Sequence, residues 1–170
     1  SLILLSTFTI LCQAQSLPMQ KVHTKHTNVF DNGGVDLVAY DKYNNYVYFI
    51  NNSHPRVEVY DYTDPSKPAF KHYITLPTAY ISGIDVHLRT VAIVGYDTPQ
   101  SSGKLAFYDE KGTALGQYPT GVKPKNVTFS PNGTWVIVAN EGEPSDDYSM
   151  DPIGSVSILA INNGIPNTPP

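Results

Sequence analysis

A chain of 170 residues is long enough to bury a substantial core, and a formal charge of −4 with an isoelectric point near 5.6 argues against a nucleic-acid partner. Its single cysteine excludes a disulfide framework and a thiolate-rich metal site. Gly-x-Ser-x-Gly, His-Glu-x-x-His, P-loop and dinucleotide-binding words are all missing.

Leu2 to Leu11 is apolar or hydroxylic and uncharged, and Cys12-Gln13-Ala14 places small residues where a signal peptidase inspects them. Residues 1–14 are therefore expected to be a signal peptide, too short to span a bilayer, whose removal takes Cys12 with it. The chain opens at Ser1 without a methionine and stops at Pro169-Pro170 after a strand-like run, which reads as the front of a longer secreted protein. Residues 15–33 form an N-terminal segment. Its His23 and His26 lack the further ligands that zinc would need, and His54, His72 and His87 are isolated along the chain.

From Gly34 onward the chain repeats. Val57-Glu58-Val59-Tyr60-Asp61 returns in outline as Leu105-Ala106-Phe107-Tyr108-Asp109, 48 residues later. Two runs precede each copy: Val35–Ala39 and Tyr46–Ile50 in the first unit, Ile84–Val86 and Val91–Val94 in the second. A third unit runs Asn126–Phe129, turns at Asn132-Gly133, continues as Trp135–Ala139 and Ser155–Leu159, and is expected to end before its last strand. The runs are rich in β-branched and aromatic residues, and no window has helical periodicity. Arg56–Val59 alternates as a peripheral strand would, whereas the second strand of each unit is continuously apolar and reads as buried on both faces. Four-stranded units of this period predict an all-β fold over residues 34–170, an incomplete β-propeller of about two and a half blades; a sandwich would not predict the repeated strand order. Such a segment exposes apolar blade faces and, expressed alone, is expected to be poorly stable.

Three sequons follow from the secretory reading: Asn51-Asn52-Ser53, Asn126-Val127-Thr128 and Asn132-Gly133-Thr134. Asn132 ranks first because Pro131-Asn132-Gly133 is a turn; Asn51, at a strand end, comes next, and Asn126 enters a strand.

The densest chemistry lies in Asn140 to Pro152, where Glu141, Glu143, Asp146, Asp147 and Asp151 place five carboxylates within eleven residues. The rest of the chain is near neutral, so this is an acidic spot on a balanced body. It sits in a long connection between two strands, and with Asn140 and backbone carbonyls it has enough oxygens for calcium, although the order is not that of an EF-hand. A solvated acidic loop explains the same residues, and either version meets a mineral surface through electrostatics.

The words Ala139-Asn140-Glu141-Gly142-Glu143-Pro144, Asp146-Asp147-Tyr148, Asp151-Pro152 and Gly154-Ser155-Val156-Ser157-Ile158 closely resemble a stretch of the choice-of-anchor I propeller family. Its animal members include mesenchyme-specific cell-surface glycoproteins of skeleton-forming echinoderm cells and mollusc shell-matrix (gigasin-like) proteins. The resemblance implies a secreted, non-enzymatic extracellular-matrix glycoprotein of a calcified tissue, with calcium carbonate mineral or matrix components as partners. The alternative is a calcium-dependent phosphohydrolase on a propeller, in which the carboxylates hold metal and Lys123 and Lys125 are the nearest basic pair.

Overall fold

The computed structural model describes residues 19–26, 34–162 and 165–166; the signal peptide expected over 1–14, with Cys12, lies outside them. Twelve strands form three antiparallel sheets of four among the described residues. The first sheet is β1 (Val38–Asp41), β2 (Tyr46–Asn51), β3 (Arg56–Asp61) and β4 (Ala69–Ile74). The second is β5 (Tyr80–His87), β6 (Thr90–Tyr96), β7 (Ser102–Tyr108) and β8 (Ala114–Val122). The third is β9 (Pro124–Phe129), β10 (Trp135–Asn140), β11 (Ser155–Asn162) and β12 (Ile165–Pro166). Each sheet is a meander in chain order, and β1 neighbours β5 as β5 neighbours β9, so the first strand of every sheet lies on the inner side.

The period-2 alternation of a strand explains how the sheets stack. On β6, Val91 and Ile93 face the first sheet while Ala92 and Val94 face the third, and all four are fully buried. On β7, Ala106 and Tyr108 join the first core with Ile50, Val57, Val59 and Ile74, whereas Leu105 and Phe107 join the second with Val127, Val136 and Val138. The continuous apolar run of the middle sheet is thus buried on both faces, as its sequence implies. The sheets do not close into a ring. The far face of the third sheet stays open, with Trp135 at 48% and Val156 and Ile158 at 63% exposure.

Local sequence explains the repeat. Asp61 and Asp109, the matching last residues of the repeated word, each accept backbone N–H groups just beyond the strand, from Thr63 at 2.9 Å and from Lys111 and Thr113 at 2.9 and 2.7 Å. The β5–β6 hairpin turns through Leu88 and Arg89, both with positive φ, which is the backbone of a type I′ turn without its usual glycine or asparagine.

Three sequence expectations are corrected. The first strand begins at Val38, not Val35, although Asp36 and Leu37 still exchange backbone hydrogen bonds with Ile50. The third unit does have a fourth strand, the two-residue β12, which pairs Ile161 with Pro166 and Asn162 with Ile165 and is too short to carry a strand pattern. And β3 is not peripheral: Val57, Glu58, Val59 and Tyr60 are all buried, because β4 takes the edge and Glu58 is held by Arg56 at 2.8 Å and Asn51 at 2.9 Å.

Candidate functional site

The acidic loop leaves β10 beside the β8–β9 connection, and the backbone ties the two together: the Glu141 amide donates to the Lys123 carbonyl at 3.0 Å and the Gly142 amide to that of Val122 at 3.2 Å. Continuing the pairing of Asn140 with Pro124, these bonds set Glu141 opposite Lys123, and Glu143 then turns back to the same lysine. Lys123, whose side chain is 10% exposed, pairs with Glu141 Oε2 at 3.0 Å and with Glu143 Oε2, and Lys125 approaches Glu141 at 3.7 Å. The Lys123 ammonium, then the Lys125 charge, holds the Glu141 carboxyl below the usual range despite some desolvation. Lys123 itself adopts φ +49°, a left-handed backbone that a non-glycine residue keeps only when its surroundings demand it.

Beyond this network the loop is folded on itself. Gly142 has φ +67°, and a Cβ there would fall 2.5 Å from the Gly154 nitrogen and 2.6 Å from the Pro152 oxygen, so glycine is required where the loop's two ends meet. Ser145 and Met150 close its tip through a 2.8 Å backbone bond, and the Asp147 carboxylate accepts from the Ser145 hydroxyl at 2.7 Å and from Ser149 Oγ and N at 2.8 and 3.0 Å. These bonds pull the Asp147 carboxyl down to about 2. Because the folded value is depressed, the turn is fully supported above the ordinary aspartate range and loses that support progressively as pH falls from there through about 2. A side-chain NMR titration is expected to give that midpoint for Asp147; a midpoint near 4 would mean that the turn does not form in solution.

The five carboxylates called from sequence therefore separate. Glu141 and Glu143 are spent on Lys123, Asp147 holds the tip, and Asp146 and Asp151 are exposed. Among the described residues no group of three or more Asp, Glu, His or Cys side chains is placed to hold a metal ion. The neutralising lysines were visible in Lys123-Pro124-Lys125, but only the strand pairing and the folded loop show that Glu141 and Glu143 both meet Lys123.

Of the sequons, Asn132 is exposed in its turn and accepts from Ser130 Oγ at 2.7 Å and Thr134 Oγ1 at 2.8 Å, and Asn126 is exposed on β9. Asn51 is different: it is 3% exposed and its side-chain nitrogen, the atom a glycan would occupy, donates to Glu58, so its second rank is withdrawn in favour of Asn132 and Asn126.

Meandering four-stranded sheets stacked face to face, with their first strands on the inner side, define an open β-propeller. The choice-of-anchor I domain model matches residues 36–169, and the chain belongs to that family. Among solved structures it is similar to hydrazine synthase of Kuenenia stuttgartiensis (TM-score 0.61, 17% identity, covering 78% of this chain and 35% of that one). It is also similar to a putative 6-phosphogluconolactonase of Bacteroides fragilis (0.58, 18%, 82% and 38%). A chain of a nidogen/laminin complex matches as well (0.50, 16%, 76% and 49%). At these identities the likeness concerns the fold alone, and the chain spans about a third to a half of the structures it matches. A comparison with curated proteins finds no match.

Proposed function

We propose that this chain is the propeller of a secreted glycoprotein held in the extracellular matrix of a calcified tissue, and that it works by binding rather than turnover. The observation that carries this reading is the built acidic loop: its backbone is fixed by Gly142 and the Ser145–Asp147–Ser149 turn, while Asp146 and Asp151 face solvent. A pre-ordered loop presenting separated carboxylates suits many weak contacts to calcium at a mineral surface, with little ordering cost on contact. Family membership and the exposed sequons Asn126 and Asn132 support the same reading.

The test is adsorption of the glycosylated full chain to calcium carbonate at low salt. Asp146→Asn with Asp151→Asn is expected to lower the retained amount by roughly twofold or more, and raising the ionic strength to do the same in the parent. Retention untouched by both changes would defeat the proposal.

The second reading, a calcium-dependent phosphohydrolase, draws support from enzymes that share the fold, such as the 6-phosphogluconolactonase-like structure. Against it, the nearly buried Lys123 ammonium group is already engaged by Glu141 and Glu143, which leaves only the half-exposed Lys125 to receive a phosphate. Phosphomonoester turnover abolished by chelator would reverse the order of the two.

A further inference from the structure

A second concave site lies where the inner strands begin, apart from the loop tip. It is a cavity of about 350 Å³ whose lining includes Asp36, Asn52, Tyr80, Ser82, Tyr96 and Lys125. That volume is within the range of small-molecule sites. Tyr80 and Tyr96 are cross-strand partners with rings stacked at 5.3 Å and 28°, and Tyr80 remains 50% exposed, so the cavity has an aromatic wall open to solvent.

The polar lining divides into struts and free groups. Asn52 is a strut: it accepts from the Ile81 amide at 3.3 Å and donates to the Ile81 carbonyl at 3.0 Å and to Asp36 Oδ2 at 3.2 Å, which fixes the Asp36 carboxylate at the rim. Ser82 spends its hydroxyl on the Pro124 carbonyl. Asp36 keeps acceptor capacity to spare, and the half-exposed Lys125 ammonium, 3.7 Å from Glu141, keeps donors to spare. Burial, then the neighbouring Tyr80, Glu141 and Asp36, raises the Tyr96 hydroxyl's pKa, so it stays a protonated donor through the physiological range.

Charge narrows the ligand. The lining carries one carboxylate, Asp36, and one ammonium group, Lys125, which Glu141 approaches at 3.7 Å, so an anion meets no net positive field. No three-carboxylate group is present among the described residues to hold a cation. An uncharged ligand with an apolar face for the tyrosines and several hydroxyls for an acceptor on one side and donors on the other satisfies every group. From this arrangement we infer that the cavity binds a neutral saccharide, stacked on Tyr80 and hydrogen-bonded between Asp36 and Lys125.

The experiment is calorimetric and saturation-transfer NMR titration of the full chain with three probes: maltotriose, cellotriose and tri-N-acetylchitotriose. At least one is expected to bind saturably, with Tyr80→Ala and Asp36→Asn each weakening it about tenfold or more, the factor that corresponds to about 1.4 kcal/mol. Tyr80→Phe, which keeps the ring, is expected to bind within about threefold of the parent. Tyr80 is half exposed, so unchanged thermal midpoints will show that the variants fold. Absence of binding by all three probes up to about 10 mM, a barely measurable affinity, would overturn the inference, as would binding indifferent to both Tyr80→Ala and Asp36→Asn. Mineral adsorption of Tyr80→Ala is expected to equal that of the parent, which keeps this site's failure distinguishable from that of the acidic loop.

Discussion

Replacing Phe107 by alanine is expected to lower the unfolding free energy by about 3–5 kcal/mol, the largest effect of any single truncation proposed for this chain. Phe107 is fully buried on β7, with Tyr118 at 6.0 Å and Phe129 at 6.4 Å in edge-to-face contact, and it belongs to the core that joins the second and third sheets. Truncation forfeits the transfer energy of the ring and leaves a cavity that two rigid sheets cannot collapse around. Phe70→Ala, at a 46% exposed position on the edge strand β4, is expected to cost under about 1 kcal/mol. Urea melts of the two variants measure the difference. Equal losses would mean that the sheets do not pack face to face as described.

The second large effect concerns Lys123 and depends on which partner is removed. Glu141→Gln with Glu143→Gln leaves a nearly buried ammonium without a counter-charge, and is expected to destabilise by about 3 kcal/mol. Lys123→Met leaves two carboxylates that are 45% and 42% exposed overall, and only Glu143 Oε2 is buried, so the loss should be smaller, about 1–2 kcal/mol. The asymmetry is the signature of a buried cation held by surface anions. A larger loss for Lys123→Met than for the double glutamine variant would show that the lysine, not the carboxylates, is the solvated member.

The parts of this fold legible in sequence are those governed by local pattern. The Tyr60-Asp61 and Tyr108-Asp109 echo marks equivalent strand ends because both aspartates cap the same turn, and the apolar run Val91–Val94 announces a strand buried on two faces. What was not legible depends on register and on neighbours. Arg56–Val59 looks amphipathic, yet Glu58 is buried because Asn51 and Arg56 come to it across and along the sheet. The acidic loop looks like a cluster of equivalent ligands, but one strand pairing assigns two of its carboxylates to lysines and one turn consumes a third. The saccharide cavity left no linear signal, since Asp36 and Lys125 reach the paired Tyr80 and Tyr96 only through the packing of one sheet on the next.

The most direct test of the mineral-binding account is a calorimetric calcium titration of the glycosylated full chain beside a variant with Glu143, Asp146, Asp147 and Asp151 changed to their amides. Carboxylates that are dispersed and partly neutralised predict weak heats that do not saturate at one ion per chain and that fade with salt. A stoichiometric, saturable site present in the parent and lost in the variant would contradict that picture and make the loop a calcium chelator instead.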